Sequence, residues 1–284
     1  MMDGKVCLVT GATAGLGKVT ARVLAEQRGQ VVLVGRNERK TARAVTEIKK
    51  LTGNTAVSYL LADFASFASI HQLAANFLAQ YERLDVLVNN AGAVFMSRQL
   101  SEDGIEKTFA VNHLGYFLLT NLLLERLQES APARIVNVAS EAHEPATLDF
   151  ADLGTEKNYA IMKAYGRSKL ANIYFTYELA RRLDGTAVTV NALHPGFVAT
   201  QIGANNIPII GRFVKWFINR SAIDVETGAK TQIYLATSPD VEGVSGNYFV
   251  DCKAVDSSPI SYNETFATQL WEISAKVVGL EERN

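Results

Sequence analysis

The sequence predicts an α/β fold: a doubly wound parallel sheet of about seven strands with helices on both faces, in a single domain over 1–284. Three observations carry this. Short β-branched runs alternate with helical segments almost to the end of the chain, the pattern of repeated strand–helix–strand units. The strand runs are nearly continuously apolar, as strands covered on both faces must be. No linker, repeat or low-complexity segment divides the chain.

The elements follow in order. KVCLVT (5–10) is a first strand that runs into glycines, and GLGKVTARVLAEQRG (15–29) has helical periodicity with a glycine stop. QVVLVG (30–35) is a second strand and NERKTARAVTEIKKL (37–51) a charged helix. AVSYLLAD (56–63), the amphipathic ASIHQLAANFLAQY (68–81) and LDVLVNNAG (84–92) give a third strand, a helix and a fourth strand. A long apolar helix over 104–129 precedes ARIVNVAS (133–140), and a further helix covers about 158–183. AVTVNALHPG (187–196) and GNYFV (246–250) complete the seven strands.

Composition excludes several function classes. A net charge of −1 offers no basic field for nucleic acid or a membrane surface. Two cysteines, Cys7 and Cys252, are too few for a disulfide framework and fit a reducing compartment. No run of eighteen apolar residues is present, since Thr120, Asn121, Glu125 and Arg126 interrupt the greasiest stretch at 116–127. The chain enters a strand almost at once, so a cytoplasmic protein without signal peptide or transmembrane anchor is expected. No His/Cys/Asp cluster has metal-ligand spacing, and no metal site is expected.

TGATAGLG (10–17) joins the first strand to the first helix, with Gly11, Gly15 and Gly17 spaced G-x-x-x-G-x-G. Such a turn lets backbone N–H groups at a helix N-terminus approach a pyrophosphate without a Cβ in the way. This is a Rossmann-type dinucleotide turn, with Thr13, Ala14 and Leu16 filling the loop. In NAD binders a carboxylate near the end of strand two takes the ribose hydroxyls. Here Gly35 and Arg36 stand there, and a guanidinium suits a 2′-phosphate. NADP(H) is therefore expected over NAD(H), with Arg39 and Lys40 adding positive field.

Tyr165 and Lys169 stand one helical turn apart in AYGRSKLANIYF (164–175), so both side chains share a face. A free phenol titrates near pH ~10, and a neighbouring cation lowers that value toward the range useful for acid–base catalysis. This pair is expected to exchange a proton, with Lys169 bringing Tyr165 down.

The glycine spacing, NNAG (89–92), VNHLG (111–115), IVNVAS (135–140), Tyr165-x-x-x-Lys169 and HPGFVAT (194–200) together resemble the short-chain dehydrogenase/reductase family over nearly the whole chain. The resemblance implies a catalytic set of Asn112, Ser140, Tyr165 and Lys169. Ser140 would stabilise the substrate oxygen, Asn112 would orient a water in a relay to Lys169, and Lys169 would also hold the nicotinamide ribose. It further implies cofactor contacts from Asp63, Asn90, Ala91, Gly92, Pro195, Gly196, Val198 and Thr200. The long Ser140–Tyr165 insert resembles the retinol dehydrogenase-like branch, which includes protochlorophyllide reductases. That branch implies an NADP(H)-dependent exchange of hydride between a hydrophobic alcohol and its aldehyde or ketone.

The segment 201–228 is rich in Ile and Phe, with Trp216 among them, and is expected to form a substrate lid. Of the histidines, His71 is expected to be exposed and His194 to serve its loop backbone. His113 is expected to face another helix, and His143 to have no catalytic part. The resemblance also implies pairing of subunits through the helices at 104–129 and 158–183, giving a homo-oligomer. Two alternatives stay open at this stage: light-dependent C=C reduction of a tetrapyrrole, and an NADP(H)-binding sensor without turnover.

Overall fold

The computed structural model describes residues 1–196 and 224–280. Their strands form one sheet in the order β3-β2-β1-β4-β5-β6-β7-β8. The strands are β1 (Val6–Thr10), β2 (Gln30–Gly35), β3 (Val57–Leu61), β4 (Val86–Asn89), β5 (Ala133–Val138), β6 (Val188–His194), β7 (Tyr248–Val250) and β8 (Lys253–Val255). All pair in parallel except β7 with β8. Order reverses between β1 and β4, and in such sheets the crevice beyond the strand C-termini at that point is the binding position.

The helices are α1 (Gly15–Glu26), α2 (Glu38–Thr52), α3 (Phe67–Gln80), α4 (Lys107–Phe109), α5 (Gly115–Glu129), α6 (Ile161–Arg182), α7 (Val225–Thr237) and α8 (Glu264–Val277). Strand residues alternate between two cores. Leu8, Leu87, Ile135 and Val190 pack toward the layer that holds Ile70, Phe117, Leu170 and Leu270. Val9, Val88, Val136 and Leu193 pack toward Leu24, Ile48 and Leu235. Asp85, at the start of β4, clamps this junction. Its buried carboxylate accepts bonds from Lys5 Nζ at 2.8 Å, Arg83 Nη2 at 2.6 Å and Val6 N at 2.8 Å. Burial alone would raise its pKa, and these donors outweigh burial and hold it below the usual carboxylate value.

Three features differ from the sequence reading. The expected continuous helix over 104–129 is broken by a π turn, Ala110–Leu114, between α4 and α5. An extra residue in a turn leaves apolar periodicity almost unchanged while shifting the hydrogen-bond pattern. An eighth strand, β8, returns antiparallel through Asp251 and Cys252, both at positive φ (49° and 62°). Its three residues are all exposed, so no buried pattern marks it. The helix expected from about 158 begins at Ile161.

The residues of α6 from Gly166 to Leu179 are all buried. The cover on one side is α8, whose Trp271 ring lies 4.9 Å from Phe117 and 5.8 Å from Phe175, with the Arg182 guanidinium 4.2 Å from the Trp271 ring. On this side α8 packs along α6.

Candidate active site

Two clefts open at the C-terminal ends of the strands, at the reversal of strand order. The first, about 740 Å³, is walled by Gly11, Thr13, Ala14, Gly15, Leu16, Arg36, Asn90, Ala91 and Gly92, with Lys18, Lys40 and Arg43 at its side. The second, about 560 Å³, is walled by Ser140, Tyr165, Lys169, Pro195 and Gly196 among others. Leu16, Asn90 and Gly92 belong to both, so the two form one groove.

The glycine turn is built as its spacing predicts. Gly11 and Gly15 take positive φ, 67° and 57°, which only glycine adopts cheaply. A Cβ on Gly17 would meet Asn90 Nδ2 at 2.4 Å and the Gly11 carbonyl oxygen at 2.7 Å, so α1 packs directly on the turn and the β4 end. No side chain caps the first turn of α1 and no acid lies in it. Its free N–H groups and positive dipole end face the cleft, a fit for an anionic phosphate. Thr10, which sequence reasoning did not single out, holds the opposite wall. Its hydroxyl accepts from Asn90 N at 2.9 Å and Ala91 N at 3.0 Å.

Arg36 is exposed and lies 3.4 Å from the Asp63 carboxylate. Asp63 does not wall the cleft itself and reaches its edge through this pair. A Cβ on Gly35 would lie 2.4 Å from both Thr13 Cγ2 and Thr41 Oγ1, so no carboxylate side chain fits at the end of β2.

In the second cleft Ser140 follows β5 and caps a short turn, accepting from Ala142 N at 3.2 Å. Its hydroxyl shares the cleft wall with Tyr165 and acts on that phenol by lowering its pKa. The Lys169 ammonium donates to the Val138 carbonyl at 2.8 Å. It lies 5.6 Å from the Tyr165 ring centroid and 5.8 Å from that of Tyr116, which offers it two aromatic faces. Ser140, Tyr165 and Lys169 thus line one cleft, Tyr165 and Lys169 on a common helix face as their spacing predicts. Asn112 sits in the π turn, where Oδ1 accepts from Ala93 N at 2.8 Å. Its Nδ2 donates to Ala93 O and Ser168 Oγ, both at 3.0 Å. Both amide hydrogens are occupied in tying β4's loop to α6.

Charge in this cleft differs from the sequence expectation. Burial pulls Lys169 down to about 7. Burial raises the Tyr165 phenol above its ordinary value, and the Ser140 hydroxyl draws it part of the way back. The lowering of Tyr165 by Lys169 is therefore not the dominant effect: desolvation of both groups outweighs their mutual influence.

The histidines fall largely where expected. His71 is exposed. His194 Nδ1 accepts from Glu141 N at 3.3 Å, bracing the loop. His143 is buried, with Nδ1 donating to Ser140 O at 2.7 Å and Nε2 accepting from Ser258 N at 3.0 Å, and takes no place in the cleft wall. His113 faces α8 and pairs with Ser274. Val198, Thr200 and most of the expected lid, 201–223, lie outside the described residues, while 224–228 open α7.

One contact sets the spacing of the cleft. A Cβ on Gly166 would stand 2.5 Å from the Ala142 carbonyl oxygen. Gly166→Ala is expected to push the Ser140–Ala142 turn off α6 and to lower kcat about 100-fold. The packing strain amounts to about 1–3 kcal/mol. Steady-state kinetics beside a thermal melt separate the two effects.

Residues 5–208 match the family model described as short chain dehydrogenase. The chain belongs to the short-chain dehydrogenase family. Within it the chain is retinol dehydrogenase-like. It is 43% identical to retinol dehydrogenase 14 of Mus musculus, covering 99% of this chain and 87% of that protein. It is 42% identical to retinol dehydrogenase 13 of Homo sapiens, covering 99% and 86%. Among solved structures of short-chain dehydrogenase shape, an uncharacterised protein from Mycobacterium paratuberculosis superposes with a TM-score of 0.78 at 30% identity, covering 99% of this chain and 95% of that one. The RhlG/NADP complex of Pseudomonas aeruginosa follows the same fold with a TM-score of 0.70 at 27% identity, covering 87% and 94%.

Proposed function

We propose that the protein is an NADP(H)-dependent oxidoreductase that interconverts a hydrophobic alcohol and its aldehyde or ketone. The observation that carries this is the single groove: a glycine-lined phosphate cradle runs into a cleft where Ser140, Tyr165 and Lys169 meet. A bound nicotinamide supplies or accepts the hydride. In reduction, Tyr165 gives its proton to the carbonyl oxygen as the carbon gains hydride. A phenol whose pKa burial has raised is fully protonated at neutral pH and so is equipped for that donation. The Ser140 hydroxyl bonds the same oxygen as charge develops on it. Val94, Ala139, Ala142, Pro145 and Met162 give the cleft wall its apolar part, which suits a neutral hydrophobic substrate. The retinol dehydrogenase relatives support the same substrate class.

The preference for NADP(H) over NAD(H) rests on the end of β2. Gly35 leaves no room for a ribose-binding carboxylate. Arg36, Lys40 and Arg43 line the same cleft, which favours a nucleotide with an additional phosphate. The test is depletion of NADPH and NADH against a panel of apolar aldehydes and ketones, retinal included. Turnover faster with NADPH is expected, and absence of turnover with either nucleotide overturns the reading. Arg36→Ala is expected to raise KM for NADPH by roughly 10–100-fold, the worth of a charge-assisted hydrogen bond, and to leave KM for NADH nearly unchanged. Equal effects on both nucleotides would remove Arg36 from the 2′-phosphate site.

A further inference from the structure

Behind Lys169 a buried polar chain runs back to the C-terminal helix. Asn172 lies three residues beyond Lys169 on α6 and is fully buried. Its Nδ2 donates to the Asn112 carbonyl at 2.9 Å and approaches the Val138 carbonyl at 3.4 Å. The Val138 carbonyl is the one that accepts the Lys169 ammonium at 2.8 Å. The Asn112 carbonyl belongs to the π turn, where the shifted hydrogen-bond pattern calls for donors from outside the helix.

His113, next to Asn112, completes the chain. Its Nε2 lies 3.0 Å from Ser274 Oγ on α8. Two buried atoms here lack a partner of standard geometry, His113 Nδ1 and Asn172 Oδ1, and they are complementary. Burial pulls His113 down to about 3, while the Asn172 amide acts on it as a hydrogen-bond partner. The ring is therefore neutral and carries one proton. Placed on Nδ1, that proton serves Asn172 Oδ1 and leaves Nε2 to accept from the Ser274 hydroxyl. The Asn172 amide is thereby turned so that Nδ2 faces the two carbonyls.

We propose that Asn172, oriented by His113, is a positioning residue for Lys169: its amide fixes the Asn112 and Val138 carbonyls and shares the second with the Lys169 ammonium. This rests on the reading of Lys169 as part of the reacting site. Two donors on one carbonyl weaken each other's bond. Without Asn172 the ammonium has that oxygen to itself and holds its proton more tightly. The other titratable groups facing Lys169 are Tyr165 on α6 and Tyr116 on α5. Among the described residues no carboxylate acts on it.

The test follows the Lys169 titration directly, in the nucleotide-free protein with [ε-13C]lysine, by NMR. The resonance is assigned by its loss in Lys169→Met. Asn172→Leu is expected to move the titration upward by about half a pH unit or more. His113→Phe keeps a ring among Phe109, Phe117 and Phe175 but cannot hold the amide, and is expected to move the titration the same way by less. His113→Gln, which can donate to Asn172 and accept from Ser274, is expected to restore the wild-type curve. If Asn172→Leu does not fold, His113→Phe against His113→Gln decides. An unmoved Lys169 titration in both Asn172→Leu and His113→Phe overturns the proposal, even if melting temperatures fall. Failure to turn over any carbonyl would overturn the proposed function and leave this titration to be judged by itself.

Discussion

Tyr165→Phe is expected to lower kcat by roughly 10³-fold, within the range general acid–base groups supply, and to leave nucleotide binding nearly intact. The substitution removes one oxygen and keeps the ring that Lys169 faces at 5.6 Å. The glycines of the turn and Arg36 line the part of the groove away from Tyr165, which shares Leu16, Asn90 and Gly92 with the cleft at Tyr165, so loss of one phenol oxygen leaves the phosphate-binding surface unchanged. At neutral pH the phenol is uncharged both in the fold and in the unfolded chain, so its raised pKa carries no stability difference there. The melting temperature should therefore stay close to that of the parent. Turnover by nucleotide absorbance, affinity by fluorescence titration and a thermal melt give the three readouts. Activity near the parent level would remove Tyr165 from proton transfer. Loss of activity together with loss of nucleotide affinity would instead point to a collapsed groove.

The scaffold was legible from local pattern, and the reason is physical. Buried parallel strands are apolar throughout, and a glycine turn at the first of them needs positive φ at Gly11 and Gly15, as found. Tyr165 and Lys169 were legible because one helical turn fixes their common face. What pattern did not reveal depends on contacts distant in sequence. The π turn shifts hydrogen bonds by one residue within an unbroken apolar run. The strand β8 is three exposed residues. Asn172 reaches the Asn112 carbonyl across 60 positions, and His113 reaches Ser274 across 161, so no periodicity could announce either. The charge balance was also hidden. Sequence spacing gives a cation one turn from a phenol, but how far each is desolvated follows from packing of α5, α6 and β5 around them.

That desolvation makes Lys169 costly to the fold. Lys169→Met is expected to abolish turnover and to raise stability by about 1–4 kcal/mol below neutral pH, the range seen when buried charges give way to apolar groups. Met fills similar volume and adapts to irregular surroundings. The sign with pH follows from the two states of the chain. Unfolded, the lysine keeps its proton up to its ordinary value of 10.5, whereas in the fold it releases it at about 7. Between those values the unfolded chain binds more protons, so the parent gains stability as pH rises through this window. Below it both states carry the proton and the full burial penalty stands. The advantage of Met should therefore be largest at pH ~6 and shrink steadily toward pH ~10. Thermal melts of both proteins across that range check it. A Met variant no more stable than the parent at the acid end would mean that the Val138 carbonyl and the two tyrosine rings compensate the buried ammonium fully. Under the proposed function, a lysine that burial makes costly and on which no carboxylate acts among the described residues would serve the reacting groups rather than the structure.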